Sequence, residues 1–547
     1  MPSVDKKIIL FLLITLAIAA FFRLWQLNSI PPGLYPDVAM NGNDAIETLR
    51  TGLPAGGFKV FYPDNNGREG LMMWLIALSF LIFGISVWSI KIVAAIIGIL
   101  TVLGLYLLTK ELLSKWNENA SRTRALAKGE EEDLSSSPSV ALLASFFLAI
   151  SFWHVNYSRL GFRAILLPFV LVFSFYFLFR GFRTNRVWSF ILAGVFFGLG
   201  FYTYTSFRMA VLILPFILIP YWFIYKSQSL QKKFILHASY FLLSTFLVAL
   251  PIGIYFLHNP QDFISRATPI SVFNQLNPIL ATGKSLILHL GMFNIYGDSN
   301  WRHNYATSPE LFWPIGILFL IGVILSFREI FRKSSYQEKK YQSLSVFYFL
   351  LSAFFIMLLP GILTYEGIPH SLRVIGVIPA VFIFSGLGAW KTYEFLNKNI
   401  KAKKLLIFSC FFFLLALAAS EFNKYFVLWA NNEKVKEAYN QNYADIGYFL
   451  NSLPQDVKKY VIINTPGSPL YGISIAAQTP LFIESTKFGK PRATYLKFEN
   501  LDQIDIYQRK SVVVPLYDDG VFAELSKRFP WGEIKTEKDL KYFDLSY

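Results

Sequence analysis

Apolar runs long enough to cross a bilayer recur along the chain from residue 8 to about residue 421. A hydrocarbon layer of roughly 30 Å takes about 20 helical residues. Lipid offers no partner to a free backbone N–H or C=O, so each such run is committed to a helix. The runs fall near 8–27, 88–113, 140–156, 164–180, 188–205, 209–225, 235–257, 311–327, 344–362, 373–393 and 405–421. They predict an α-helical polytopic membrane protein with about eleven transmembrane helices. With 54% of its residues hydrophobic, only 16% charged and a mean hydropathy of +0.44, the chain is not a large soluble core.

Charge orders these runs. The formal net charge of +16 is carried in short clusters between them: Arg180, Arg183 and Arg186; Lys226, Lys232 and Lys233; Arg328, Arg332, Lys333, Lys339 and Lys340; Lys398, Lys401, Lys403 and Lys404. That is the signature of cytoplasmic loops, not of a nucleic-acid surface, and no nucleic-acid partner is expected. The pattern holds only if the segment 70–86, "GLMMWLIALSFLIFGIS", does not cross fully, so it is expected to lie in or along the outer leaflet. The first run follows Lys6 and Lys7 and shows no small-residue cleavage site, which predicts an uncleaved first span with a cytoplasmic N-terminus. The outer face of the cell membrane then receives the loop 28–87, the turn 157–163, the loop 258–310 and the loop 363–372. It also receives the tail, so the expected domains are a membrane domain, 1–421, and an extracytoplasmic domain, 422–547. In the tail, "KKYVIINTP", "TPLFIES" and "SVVVPLYD" read as strands and "VKEAYNQNYADIGYFLNSL" has helical spacing, predicting a small C-terminal α/β domain.

Polar residues that packing does not explain gather in the outer segments. Asp37 follows the stiff turn "PPGLYP", and "NGNDAIETLR" has the spacing of a short interfacial helix whose Asp44 and Glu47 would cap it or face water. Arg68 and Glu69 open the 70–86 segment. Arg159, Arg163, Arg208, Arg302 and Arg373 stand at other outer helix ends, accompanied by Tyr204, His303 and His370. Singly, each arginine anchors a helix to lipid phosphate. Converging, they offer rigid forks of donors to one anionic group. His289, Asp298 and His303 lack tight ligand spacing, so no metal ligand is assigned; a divalent cation is compatible with the chain but not expected to be essential. Gly194, Gly198 and Gly200 have the spacing of a helix-packing face, "YGISIA" around Ser474 lacks the second glycine of a nucleophile elbow, and the acidic "KGEEEDLSSSPS" reads as a solvated linker. The single cysteine, Cys410, lies in an apolar run and permits no internal disulfide.

In order along the chain, "PPGLYPD", "REGL…W", "SRLGFRAILLP", "GLGFYTYTSFR", "GDSNWRHN" and "PHSLRVIGVIP" resemble the bacterial relatives of protein O-mannosyltransferases and aminoarabinose transferases. These are multispanning glycosyltransferases of the GT-C type related to glycosyltransferase family 39. The resemblance covers roughly residues 8 to 421. It implies a polyprenyl-phosphate sugar donor, a protein, lipid or glycan acceptor, and transfer on the outer side of the membrane. It also implies an essential aspartate in the first outer loop, which matches Asp37, and a basic residue contacting the donor phosphate, for which Arg68 is the nearest match. Relatives often carry Asp-Glu where this chain has Asp37-Val38, and some carry an acid near Arg163. The chemistry needs one base and a cationic clamp: Asp37 to take the acceptor proton, and Arg68 with some of Arg159, Arg163, Arg208, Arg302 and Arg373 to hold the leaving phosphate. Displacement without a protein nucleophile would invert the sugar. A flippase for lipid-linked sugars would instead bury charge at mid-membrane in related halves, which the chain lacks. A glycan ligase using a diphosphate donor would share the same outer-face geometry.

Overall fold

The structure is a computed structural model and describes residues 6–51, 57–128, 136–331, 337–465, 469–470, 473–505, 510–518 and 520–546. The acidic run 130–133 of the expected linker, and Arg332 and Lys333, lie outside them. The described residues contain nine helices long and apolar enough to cross a membrane: Lys6–Leu24, Val87–Ser114, Arg163–Thr184, Thr205–Ser227, Gln231–His258, Trp313–Phe331, Ser345–Ile362, Ile375–Asn399 and Lys403–Trp429. The two remaining expected crossings are the shorter apolar helices Ser137–Ile150 and Val187–Gly200. The segment 70–86 forms Leu71–Phe83, a helix of 13 residues. At 1.5 Å per residue that is roughly 20 Å, short of the hydrocarbon layer.

The chain divides into two compact units. The helical unit comprises residues 1–25, 94–159 and 163–429. Its helices close on one another where glycine removes a side chain. A Cβ at Gly194 would stand 2.3 Å from the carbonyl oxygen of Phe241, and one at Gly198 would stand 2.7 Å from Val248, so Val187–Gly200 rests directly on Gln231–His258, as the glycine spacing predicts. The same device brings Trp313–Phe331 onto Ile378–Asn399, where a Cβ at Gly322 or Gly388 would meet a backbone oxygen at 1.9 Å.

The second unit joins residues 26–93 and 160–162 to 430–547. Its sheet holds β3 (Lys458–Ile463), β4 (Thr494–Lys497), β5 (Ser511–Pro515), β6 (Glu533–Glu537) and β7 (Leu540–Asp544) in the order β4-β3-β5-β7-β6; β1 (Phe61–Tyr62) and β2 (Arg68–Glu69) pair as a separate small hairpin. β3 runs parallel to β4 and β5, with Tyr460 opposite both Thr494 and Val513, and β7 returns antiparallel with Phe543 beside Val513. Alternate residues of β3 enter two cores: Tyr460 and Ile462 pack with Val513, Leu525 and Phe543, while Val461 packs with Tyr443, Ile446 and Leu450. A strand covered on both faces reads as a continuous apolar run, which is why "KKYVII" and "SVVVP" are legible as strands.

"TPLFIES" is a helix, Gln478–Phe488, not a strand. Thr479, Phe482 and Ile483 are buried at helical spacing, and Pro480 lies in the first turn, where its missing N–H costs nothing. A short apolar run does not by itself declare its period.

Candidate active site

In the second unit the site is one face of the helix Pro36–Thr51. Pro36 opens this helix because its fixed φ is already helical and its absent N–H would have no intrahelical acceptor. Asp37 therefore sits in the first turn, beside the positive end of the helix dipole, and not in the non-helical lead-in or ahead of the shorter 41–50 helix expected from sequence. From Asp37 the residues four, seven and eleven places on are Asn41, Asp44 and Thr48, a polar stripe along one side.

The segment facing that stripe is shaped by three successive left-handed residues: Asn65 (φ 56°), Asn66 (φ 59°) and Gly67 (φ 85°). Asparagine and glycine are the residues that tolerate this region, and a Cβ at Gly67 would in any case stand 2.5 Å from the Phe61 ring. The turn folds β2 (Arg68–Glu69) back antiparallel on β1 (Phe61–Tyr62). Arg68 is thereby set against the helix face. Its Nη1 donates to Asn41 Oδ1 at 3.0 Å, its Nε donates to the Asp64 carbonyl at 3.4 Å, and its Nη2 lies 2.6 Å from Asp44 Oδ2. The last contact pairs charges without an aligned hydrogen bond. Tyr62 lies 5.7 Å from the guanidinium and its hydroxyl is 2.9 Å from Thr48 Oγ1, while Asn65 Nδ2 donates to Asp37 Oδ1 at 2.9 Å.

Asp44 does not face water: it is 3% exposed and Arg68 1%. Burial pushes the Asp44 carboxyl above its ordinary range, with Arg68 working against the shift. Glu47 is half-buried, as is Asp37, and Glu69 is buried in its two-residue strand. Asn41, Thr48, Tyr62 and Asn65 belong to this constellation and were not singled out from sequence. The spacing from Asp37 could have found Asn41, whereas Asn65 and Tyr62 are placed by the turn.

The helical unit holds the remaining candidates, in separate places. Arg159 donates to the carbonyls of Phe22 (2.9 Å) and Trp25 (2.6 Å) and lies 5.1 Å from the Phe426 ring, so its fork closes the end of the helix Lys6–Leu24 and is not open to a ligand. Arg208 is turned onto the Phe263 carbonyl and ring, and Arg302 donates through Nε to its neighbour Asn300. Arg163 and Tyr204 come together, 5.5 Å from guanidinium to ring. Tyr204 also acts electrostatically on Arg373, which donates to Thr364 Oγ1 at 2.9 Å and whose pKa burial lowers.

A further cluster surrounds Asp298. Its Oδ2 accepts from the backbone N–H of Ser371 (2.8 Å) and from Ser371 Oγ (3.0 Å), and lies 3.0 Å from His303 Nδ1 and 3.8 Å from His370 Nδ1. Its Oδ1 accepts from Asn300 N–H, and its own N–H donates to Glu310 Oε1. Burial opposes ionisation of Asp298, but His303 and His370 outweigh it and hold the carboxyl well below its usual range. Burial, with Asp298 beside it, pushes Glu310 well up. Burial, then His303 and Arg373, holds His370 well down. His289 accepts the backbone N–H of His370 at 3.2 Å.

Comparison with known proteins bears on the whole arrangement. The family model for dolichyl-phosphate-mannose-protein mannosyltransferase matches residues 71–127 and 134–255. No curated protein matches the chain. The crystal structure of ArnT from Cupriavidus metallidurans bound to undecaprenyl phosphate superposes with a TM-score of 0.56 at 12% identity, over 100% of each chain. An oligosaccharyltransferase from Archaeoglobus fulgidus in the apo form gives a TM-score of 0.47 at 14% identity, over 84% of this chain and 63% of that one. The chain thus has the GT-C fold of multispanning glycosyltransferases and is similar, through its early helices, to the protein mannosyltransferase family.

Proposed function

We propose that this protein is a glycosyltransferase that moves a sugar from a polyprenyl-phosphate donor to a hydroxyl or amine acceptor on the outer face of the cell membrane. The N-terminus would be cytoplasmic and the tail extracytoplasmic. The observation that carries the reading is the polar stripe of Pro36–Thr51, where a half-exposed carboxylate, Asp37, and a fixed guanidinium, Arg68, are tied to one helix face by Asn65 and Asn41. The partial family match and the fold shared with a protein crystallised with undecaprenyl phosphate support it.

In the reaction, an acceptor oxygen or nitrogen attacks the anomeric carbon and gives its proton to Asp37. The bond from that carbon to the phosphate oxygen breaks, and the lipid phosphate leaves with the electron pair. The leaving group gains a negative charge that a prearranged cation stabilises best, because no reorganisation is needed at the moment of bond breaking. Arg68 is so arranged, with Asp44 and Asn41 holding its fork until phosphate oxygens compete for it. Fixed guanidinium charge can do at a monophosphate what a metal does at a diphosphate, so no metal is required for this step. One base and no protein nucleophile give inversion.

The test is release of label from radiolabelled polyprenyl-phosphate hexoses by membranes containing the protein or its Asp37→Asn variant at equal expression. Consumption by the first and not the second supports transfer with Asp37 as base. Equal consumption keeps the enzyme and removes Asp37 from the chemistry. Movement of the donor across the bilayer without transfer replaces the reading with a lipid-sugar flippase.

A further inference from the structure

We propose that Asp298, His303 and His370 form a binding site for one divalent transition-metal ion, with Zn²⁺ as the natural probe. Each of the three residues offers one ligand atom, and these atoms all lie within 4.8 Å of one another; Asp298 Oδ2 is 3.0 Å from His303 Nδ1 and 3.8 Å from His370 Nδ1. The site belongs to the helical unit and is independent of the transfer chemistry proposed for Asp37 and Arg68.

One atom of the cluster is uncompensated. His370 Nδ1 is buried and has no hydrogen-bond partner among the described residues; Asp298 Oδ2 is 3.8 Å away, beyond hydrogen-bond reach. An imidazole nitrogen buried without a partner is unfavourable whether it carries a proton or a lone pair. A cation between it and the carboxylate satisfies it as a lone-pair donor. Ligands about 2.0–2.2 Å from a tetrahedral metal stand about 3.3 Å apart. The observed separations of 3.0 Å and 3.8 Å from Asp298 Oδ2 bracket that value, and the centroids of the two imidazole rings lie 4.8 Å apart.

A shell of hydrogen bonds surrounds the carboxylate. Ligating carboxylates are held by outer hydrogen bonds that fix their orientation. Here Ser371 N–H, Ser371 Oγ and Asn300 N–H converge on Asp298, and Tyr157 Oη lies 2.9 Å from Ser371 Oγ. The backbone of His370 is in turn anchored on His289. Two imidazoles and a carboxylate suit Zn²⁺, Co²⁺ or Fe²⁺ and disfavour Mg²⁺ and Ca²⁺, which take oxygen. Water would complete the tetrahedron. The ion would pin residues 297–310 to residues 364–373, segments far apart in sequence, with Asp298 and His303 on one side and His370 on the other.

The experiment uses the full chain, purified in detergent without a polyhistidine tag, stripped with chelator and titrated with Co²⁺ and Zn²⁺. The expected result is about one equivalent bound per chain with tetrahedral Co²⁺ absorption, and a loss of affinity of at least about tenfold in Asp298→Asn, His303→Gln and His370→Gln. His258→Gln, altered at an exposed histidine outside the cluster, keeps full affinity. A wild-type chain that takes up no stoichiometric Co²⁺ or Zn²⁺ overturns the proposal, as does binding that survives all three ligand substitutions. The wild-type stoichiometry decides the matter even where a ligand variant fails to fold.

Discussion

Substituting either partner of the Asp44–Arg68 pair should destabilise the protein, but unequally. The two charges are 2.6 Å apart and both almost completely buried. At an effective dielectric of about 20 their attraction is about 6 kcal/mol before desolvation is charged against it. Removing one partner of a buried pair typically costs about 3–5 kcal/mol, because the other is left uncompensated. In Asp44→Asn the orphan is a guanidinium, which cannot shed its proton, so the full cost falls on the fold. In Arg68→Met the orphan is a carboxyl that burial already pushes up, and it escapes by taking a proton. The sign follows. A carboxyl whose folded pKa lies above its unfolded value stabilises the fold below the unfolded pKa, near 3.9, and loses that contribution as pH rises through the folded pKa. Without Arg68 the folded value rises further, so Arg68→Met should approach wild-type stability at pH 5 and fall away by pH 8, with a limiting slope of about 1.4 kcal/mol per pH unit. Asp44→Asn should be comparably destabilised at both. Thermal unfolding in detergent, followed by tryptophan fluorescence at the two pH values and closed with the double variant Asp44→Asn/Arg68→Met, measures this. Equal, pH-independent losses in the two single variants, or additive losses in the double, would refute the buried-pair argument.

Other outcomes follow from the same structure. Asp37→Asn should lower the rate of sugar transfer by about 10²- to 10⁴-fold with donor affinity little changed, read from kcat and KM on labelled donor; a change in KM alone would remove it as a base. Arg159→Met should destabilise the chain by about 2–4 kcal/mol, because the carbonyls of Phe22 and Trp25 lose a charged donor at a buried helix end, and unfolding should show this irrespective of donor. Gly322→Val forces a side chain into the 1.9 Å gap before the Phe384 carbonyl and should abolish a monodisperse product on gel filtration.

The helices were legible because lipid imposes one requirement, a backbone satisfied within the segment, and long apolar runs announce it. The glycine contact of residues 194 and 198 could also be read from spacing. The second glycine contact, Gly322 against Gly388, could not, because its members are on helices whose pairing only the fold decides. The candidate site was legible as an inventory, Asp37 and the outward arginines, and not as a geometry. Arg159 looks like the other arginines in sequence yet spends its fork on helix carbonyls, and Asp44 looks solvated until a three-residue left-handed turn carries Arg68 onto it. His370, not His289, stands with Asp298 and His303, which chain spacing gave no means of choosing.

The unit that carries Asp37 and Arg68 is made from the beginning and the end of the chain. The helix Pro36–Thr51 is covered by Gln478–Phe488: Asn43 donates to Gln478, Thr479 Oγ1 donates to the carbonyl of Leu34, and Gly42 leaves room for the Phe482 ring. A ribosome must therefore release the residues through Gln478–Phe488 before the earlier polar segment can close, and a nascent chain that has not reached them would present its acid and its arginine on an uncovered helix.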